Sequence, residues 1–206
     1  MKLIGTLDSP YVRRVAITLD LHDVGFKHEA LSVFSTYDAF AAINPVVKAP
    51  TLVLDDGTVL MDSTLIIDYI EATSPPHRSL LPKTPTALAW STRTLGLALA
   101  ACEKTVQRVY ELNLRPAEKR HQPWVERVTQ QLLAACAGLE GQWANHPLPQ
   151  KGERPSQAAL TSAVAWSFMQ LMLPDVVKVS AFPTLQALGA GLEGSAAFKR
   201  YRIPPS

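Results

Sequence analysis

Between residues 74 and 85 the chain places Pro75, Pro76, Pro82 and Pro85 amid little hydrophobic periodicity, and the pattern of apolar residues differs on the two sides. Proline fixes φ and removes a backbone donor, so such a run neither continues a helix nor sits inside a sheet. The segment 75–85 is therefore expected to be a semi-rigid linker between two domains, 1–74 and 86–206. Before it, residues 2–6 are short and apolar and stop at Asp8-Ser9-Pro10, the pattern of a strand followed by a helix start. Val12, Val15, Ala16 and Leu19 then recur at helical spacing until Gly25. A second strand is expected over 27–33 and a less regular helical stretch around 37–43. Pro50 to Leu54 and Thr58 to Met61 flank Asp55-Asp56-Gly57, whose Asp-Gly pair signals a hairpin. Ser63 opens a third helix with Leu65, Ile66, Tyr69 and Ile70 on one face.

The order β-α-β-α-β-β-α predicts an α/β domain, a mixed sheet covered by helices. Beyond the linker no strand pattern survives. Residues 86–112, 117–145, 156–173 and 183–193 carry helical periodicity, with a Pro/Gly-containing loop over 146–156, and predict an all-α helical bundle.

Composition narrows the function. The 206 residues are 47% hydrophobic and 18% charged, ordinary for a globular chain with a sizeable core. A net charge of +2 is spread along the sequence with no basic block, which argues against a nucleic-acid partner. Cys102 and Cys136 are too far apart for a CxxC redox pair or half of a zinc site, and the five histidines show no metal-ligand spacing, so no metal is expected. The N-terminus lacks the apolar stretch of a signal peptide, and the longest apolar run, Leu95 to Cys102, is under half a membrane span. The expected location is cytoplasmic, with no membrane partner. Adjacent arginines on one helix point in different directions, so Arg13 and Arg14 are expected to form a surface pair or an inter-domain salt bridge.

The segment Ser9-Pro10-Tyr11-Val12-Arg13-Arg14-Val15, then Asn44-Pro45, Lys48-Ala49-Pro50 and Asp62-Ser63 with its following helix, occur in one order and at one spacing. Together they resemble the glutathione S-transferase family. The SPYVRRV segment is most similar to its serine-type members, the plant tau-like group and related bacterial cytosolic enzymes. The resemblance implies a thioredoxin-like N-terminal domain that binds glutathione as co-substrate and a helical C-terminal domain that shapes the pocket for a small hydrophobic electrophile. It further implies a homodimer and a role in detoxification. Relatives often carry a capping box at the start of the central helix of the second domain. Here Ser156 is followed three positions on by Ala159, which predicts a helix start weaker by about 1 kcal/mol.

The resemblance assigns roles that the chemistry makes intelligible. A free thiol with a pKa of about 8.5 is mostly protonated at neutral pH, whereas the thiolate is the nucleophile. Ser9, at the start of the first helix, would donate its hydroxyl to the glutathione sulfur and act as the catalytic residue; taken alone it reads equally well as a helix cap. Ala49, before a proline that is cis in the family, would offer its backbone to the cysteinyl unit, with Pro50 fixing the turn. Asp62 would take the γ-glutamyl ammonium, and Ser63 with the helix N-terminus its carboxylate; Ser63 alone reads as a cap. Lys48 would meet the glycine carboxylate, or be a solvated lysine. Leu7, Tyr11, Phe34, Tyr110 and Trp166 are the candidates for the second-substrate pocket.

Three functions fit this reading. The first is conjugation of glutathione to small apolar electrophiles. The second is a glutathione-dependent peroxidase acting through the bound tripeptide's own sulfur, since a protein thiol does not stand at position 9. The third is a non-catalytic binding protein that has kept the fold.

Overall fold

The structure is a computed structural model and describes residues 1–203. The chain divides into two compact units, one formed by Met1–Leu80 together with the segment from Gly194 onward, the other by Leu81–Glu193.

The first unit is built on four short strands, β1 (Lys2–Ile4), β2 (Lys27–Glu29), β3 (Thr51–Val53) and β4 (Val59–Met61). Their order in the sheet is β2-β1-β3-β4. β1 pairs in parallel with β2, placing Leu3 opposite His28, and antiparallel with β3, placing Leu3 opposite Leu52. The β3–β4 hairpin turns through Asp55-Asp56-Gly57, where Gly57 has φ of +88°, the left-handed conformation that the Asp-Gly pair foretold. Helices α1 (Pro10–Leu21), α2 (Tyr37–Ala41) and α3 (Ser63–Thr73) complete the β-α-β-α-β-β-α order. Val12, Val15, Ala16 and Leu19 of α1 and Ile66, Ile67 and Ile70 of α3 bury their apolar face with Leu3 and Leu52 of the sheet. The strands are shorter than the apolar runs suggest: β2 ends at Glu29 and not at residue 33.

Two expectations about this unit are corrected. Arg13 and Arg14 are no surface pair, being 1% and 3% exposed. Arg13 is occupied by a helix that the sequence pattern did not reveal, α8 (Ala196–Arg200), too short to show a period. Its guanidinium lies 5.3 Å from the Phe198 ring centroid, and its Nε donates to the Tyr201 carbonyl at 2.8 Å. Tyr201 stacks on Phe26, and Arg200 pairs with Asp20. The chain from Gly194 thus packs on the first unit, although its position after the last predicted helix placed it in the bundle. The start of the expected linker is likewise ordered on this unit: Leu80 is buried and its N–H donates to Glu71 at 3.0 Å.

The second unit consists of α4 (Pro85–Asn113), α5 (Gln122–Ala144), α6 (Gln157–Met172) and α7 (Pro183–Glu193). Pro123 sets the start of α5 later than residue 117, because proline is tolerated in a first helical turn and not deeper in a helix. Helix α6 is buried on every face from Gln157 to Trp166, the signature of a helix inside a bundle. Its start has the half-formed cap read from the sequence, with Ser156 Oγ accepting from Ala159 N–H at 3.2 Å and alanine offering no return bond. Trp166 fills the core between α6 and α7. Its indole N–H donates to Gln186 at 3.0 Å, and a Cβ at Gly189 would come within 2.6 Å of its ring. Among the described residues no helix is long and apolar enough to cross a membrane.

Phe198 is fully buried beneath Arg13. Phe198→Ala should therefore destabilise the first unit by about 3–5 kcal/mol, read as a lower urea midpoint for the sheet-containing unit.

Candidate functional site

The first turn of α1 is the centre of the site. Ser9 takes an extended conformation (φ −70°, ψ 122°) and Pro10 occupies the first helical position, so the positive end of the helix dipole lies at Ser9. Ser9 Oγ accepts from Val12 N–H at 3.4 Å. A hydroxyl that accepts in this way keeps its single proton for another partner, so capping and donation to a ligand are compatible in one side chain.

Val12, one turn on, is fixed against the end of β1. Gly5 has φ of +134°, and a Cβ there would come 2.5 Å from Val12 Cγ2 and 3.3 Å from Ala49 Cβ. The strand end, the helix start and the loop that carries Ala49 therefore meet where only glycine fits. Gly5 is held on both sides: its N–H donates to the Glu29 carbonyl at 3.1 Å, and its carbonyl accepts from His28 Nε2 at 2.7 Å. Sequence reading gave neither Gly5 nor His28 a role; a glycine at a strand end before a turn was the available signal for Gly5.

The loop from residue 44 to 51 ends in the cis peptide bond Ala49–Pro50. It is pinned by two buried polar side chains. Asn44 Nδ2 donates to Thr51 Oγ1 at 2.8 Å, and Thr51 Oγ1 donates to the Lys48 carbonyl at 2.8 Å. Asn44 also accepts from Val46 N–H at 3.1 Å through its side chain and from Val47 N–H at 2.9 Å through its carbonyl. This network holds Val47, a β-branched residue, at φ of +51°, a conformation that costs on the order of 1–3 kcal/mol.

At the start of α3 the cap is Asp62 and not Ser63. Asp62 sits at φ of +73° and accepts from Thr64 N–H at 2.9 Å, while Ser63 is the first helical residue. Lys48 Nζ lies 3.8 Å from the other carboxylate oxygen of Asp62, with both side chains about half exposed. Two residues expected to bind opposite ends of one ligand thus face each other. Ser63 is buried, and its Oγ accepts from Arg14 Nη1 at 3.1 Å.

Of the residues proposed for a second substrate, Leu7 packs partly buried on the first unit's core, Tyr11 is half-buried, and Phe34 is exposed. Tyr110 is exposed on α4 of the second unit. Trp166 is 3% exposed, within the core of the second unit. An aromatic at helical spacing looks the same in sequence whether it faces a core or a cavity. Both cysteines are buried, and burial pushes the Cys136 thiol up to about 12. Among the described residues no group of three or more His, Cys, Asp or Glu side chains could hold a metal ion.

The chain is similar to known proteins in sequence and in fold. Residues 3–78 match the family model described as glutathione S-transferase, N-terminal domain. The GST-like protein YibF of Escherichia coli K12 is 25% identical over 174 residues, 84% of this chain and 85% of that protein. A glutathione transferase family member of Pseudomonas fluorescens Pf-5, solved with bound glutathione, superposes with a TM-score of 0.82 at 26% identity and covers 99% of both chains. A glutathione S-transferase of Methylobacterium radiotolerans, in complex with glutathione sulfonate, superposes with a TM-score of 0.88 at 22% identity, over 100% of this chain and 95% of that one. The first unit is a thioredoxin-like domain whose residues 3–78 match the glutathione S-transferase N-terminal domain, the second is a helical domain, and over its length the chain is similar to members of that family.

Two outcomes follow from the packing. Gly5→Ala forces both a methyl clash and an unfavourable φ, so it should cost at least about 2 kcal/mol in denaturant unfolding and weaken retention on immobilised glutathione. Neither cysteine should react with Ellman's reagent in the folded protein at pH 8, and both should react after denaturation.

Proposed function

We propose that this chain is a glutathione transferase that stabilises the glutathione thiolate through Ser9 and conjugates it to small apolar electrophiles. The observation that carries the reading is the position of the Ser9 hydroxyl at the N-cap of α1, accepting at 3.4 Å and so able to donate. Lowering a thiol pKa by ~2 units requires ~2.7 kcal/mol of preferential binding of the anion. A hydroxyl hydrogen bond to a charged sulfur together with a helix N-terminus is of that order. Serine acts as a donor and not as a base: the thiol proton leaves to solvent, and the thiolate sulfur bonds to the electrophilic carbon, which expels its leaving group as an anion, as the halide of an aryl halide.

The remaining residues would hold the tripeptide. The Ala49 backbone before Pro50 pairs with the cysteinyl unit as an added strand, a role indifferent to the side chain. Asp62 receives the γ-glutamyl ammonium, and Ser63 with the first turn of α3 receives the adjoining carboxylate. The Lys48–Asp62 pair is half-exposed, hence worth no more than about 1 kcal/mol, and an arriving ammonium displaces it at little cost. Lys48 is then released toward the glycine carboxylate. Leu7, Tyr11 and Phe34 are the proposed apolar contacts for the electrophile on the first unit.

Cytoplasmic location, a role in detoxification and assembly as a homodimer belong to the same reading and rest on the family resemblance. Peroxidase activity through bound glutathione is the second reading. It is favoured over protein-thiol chemistry because Cys102 and Cys136 are buried.

Ser9→Ala should leave the KM for glutathione within several-fold of wild type while lowering turnover with a generic aryl halide at least ~10-fold near pH 6.5. The sign with pH is fixed by the shift: a thiol pKa depressed to ~6.5 in wild type rises toward the free value of ~8.5 in the variant, short of it by what the helix N-terminus contributes, so the deficit is largest at or below pH ~6.5 and shrinks as pH approaches ~8.5. Ultraviolet titration of the bound thiolate checks it, and equal titration midpoints in the two proteins would remove Ser9 from the mechanism.

A further inference from the structure

Arg14 is only 3% exposed, and a buried guanidinium is tolerated only where hydrogen bonds satisfy it. Its Nη1 donates to Ser63 Oγ at 3.1 Å and to Thr64 Oγ1 at 3.3 Å, the side chains of the first two residues of α3. An arginine has donors and no acceptors. Both hydroxyls must therefore turn lone pairs toward Arg14, and neither can point its proton at it.

We propose that Arg14 is a positioning residue for the γ-glutamyl carboxylate of glutathione, fixing the Ser63 and Thr64 hydroxyls so that their protons are presented to that carboxylate and placing a permanent positive charge behind them. The inference rests on the assignment of Ser63 to the carboxylate given above. Unassisted, a serine and a threonine at a helix start are free to rotate or to turn back on nearby backbone groups. With a buried guanidinium behind them they are held in one orientation before the ligand arrives, which reduces the ordering cost of binding. Asp62, the cap of the same helix, directs one carboxylate oxygen to Thr64 N–H at 2.9 Å and the other toward Lys48 at 3.8 Å. Arg14 also stands five residues along α1 from Ser9, so a single helix supports the proposed donor to the sulfur at its cap and the carboxylate contact in its second turn.

The test compares glutathione with 4-aminobutyryl-cysteinyl-glycine, which keeps the ammonium, the thiol and the glycine carboxylate but lacks the γ-glutamyl carboxylate. Calorimetry on the full chain measures both ligands against wild type and Arg14→Gln. Wild type is expected to prefer glutathione by roughly tenfold or more, and Arg14→Gln to lose most of that preference by weakening glutathione while leaving the analogue within about twofold. The variant's kcat at saturating glutathione should stay near wild type, placing the effect in KM. Wild-type preference retained in Arg14→Gln overturns the inference alone, as does equal loss of both ligands, which is what a merely structural arginine would give. A wild-type protein that binds the two ligands alike overturns the Ser63 assignment and the inference with it. Should glutamine prevent folding, Arg14→Lys keeps the charge but not the planar fork; about a threefold loss of preference supports the role, and an unchanged preference overturns it.

Discussion

The contact on which the first unit depends is the approach of Gly5 to Val12. The end of β1 and the first turn of α1 close to a distance that admits no side chain between them, and Ala49 closes the third side. Because β1 lies between β2 and β3 in the sheet, this contact sets where the helix begins relative to both neighbouring strands. A helix start is an anion site only if its amides point at something, and here the strand that precedes it determines where they point. The strand end is fixed from the far side as well, by the bond Gly5 N–H donates to the Glu29 carbonyl and the one His28 Nε2 donates to the Gly5 carbonyl.

Helix α1 then distributes its two arginines in opposite directions. Arg13 reaches the C-terminal segment through the Phe198 ring and the Tyr201 carbonyl, and Arg14 reaches the start of α3. Both charges are buried, and both are matched by groups distant in sequence, so each ties α1 to another part of the unit. The helix that supplies the candidate thiolate donor is thereby held at three places: by packing at Val12, by the C-terminal segment at Arg13 and by α3 at Arg14.

Strained backbone stands in two of the loops that carry candidate binding residues. Val47 and Asp62 both adopt positive φ, one just ahead of Ala49 and Pro50, the other at the cap of α3. Each is kept there by a short-range bond: Val47 N–H donates to the Asn44 carbonyl, and the Asp62 carboxylate accepts from Thr64 N–H. Such positions persist where the surroundings over-determine them, and they place backbone groups where ordinary loop conformations would not.

Much of this was legible in the linear chain. The prolines near residue 75, the Asp-Gly turn, the period-3.6 faces of α1 and α3 and the motif residues at 9, 49–50 and 62–63 are local signals, because propensity, capping and turn chemistry act over a few residues. They were enough for the fold class and for the family resemblance. What they could not reach were the partners. That Arg14 is buried against Ser63, that Trp166 is buried against Gln186, that the last described residues belong to the first unit and that Lys48 faces Asp62 all depend on groups brought together from far along the chain. A sequence determines which side chains can donate, accept or exclude water; only the folded structure decides which ones are desolvated together, and desolvation is what turns an arginine pair that resembles surface charge into two internal anchors.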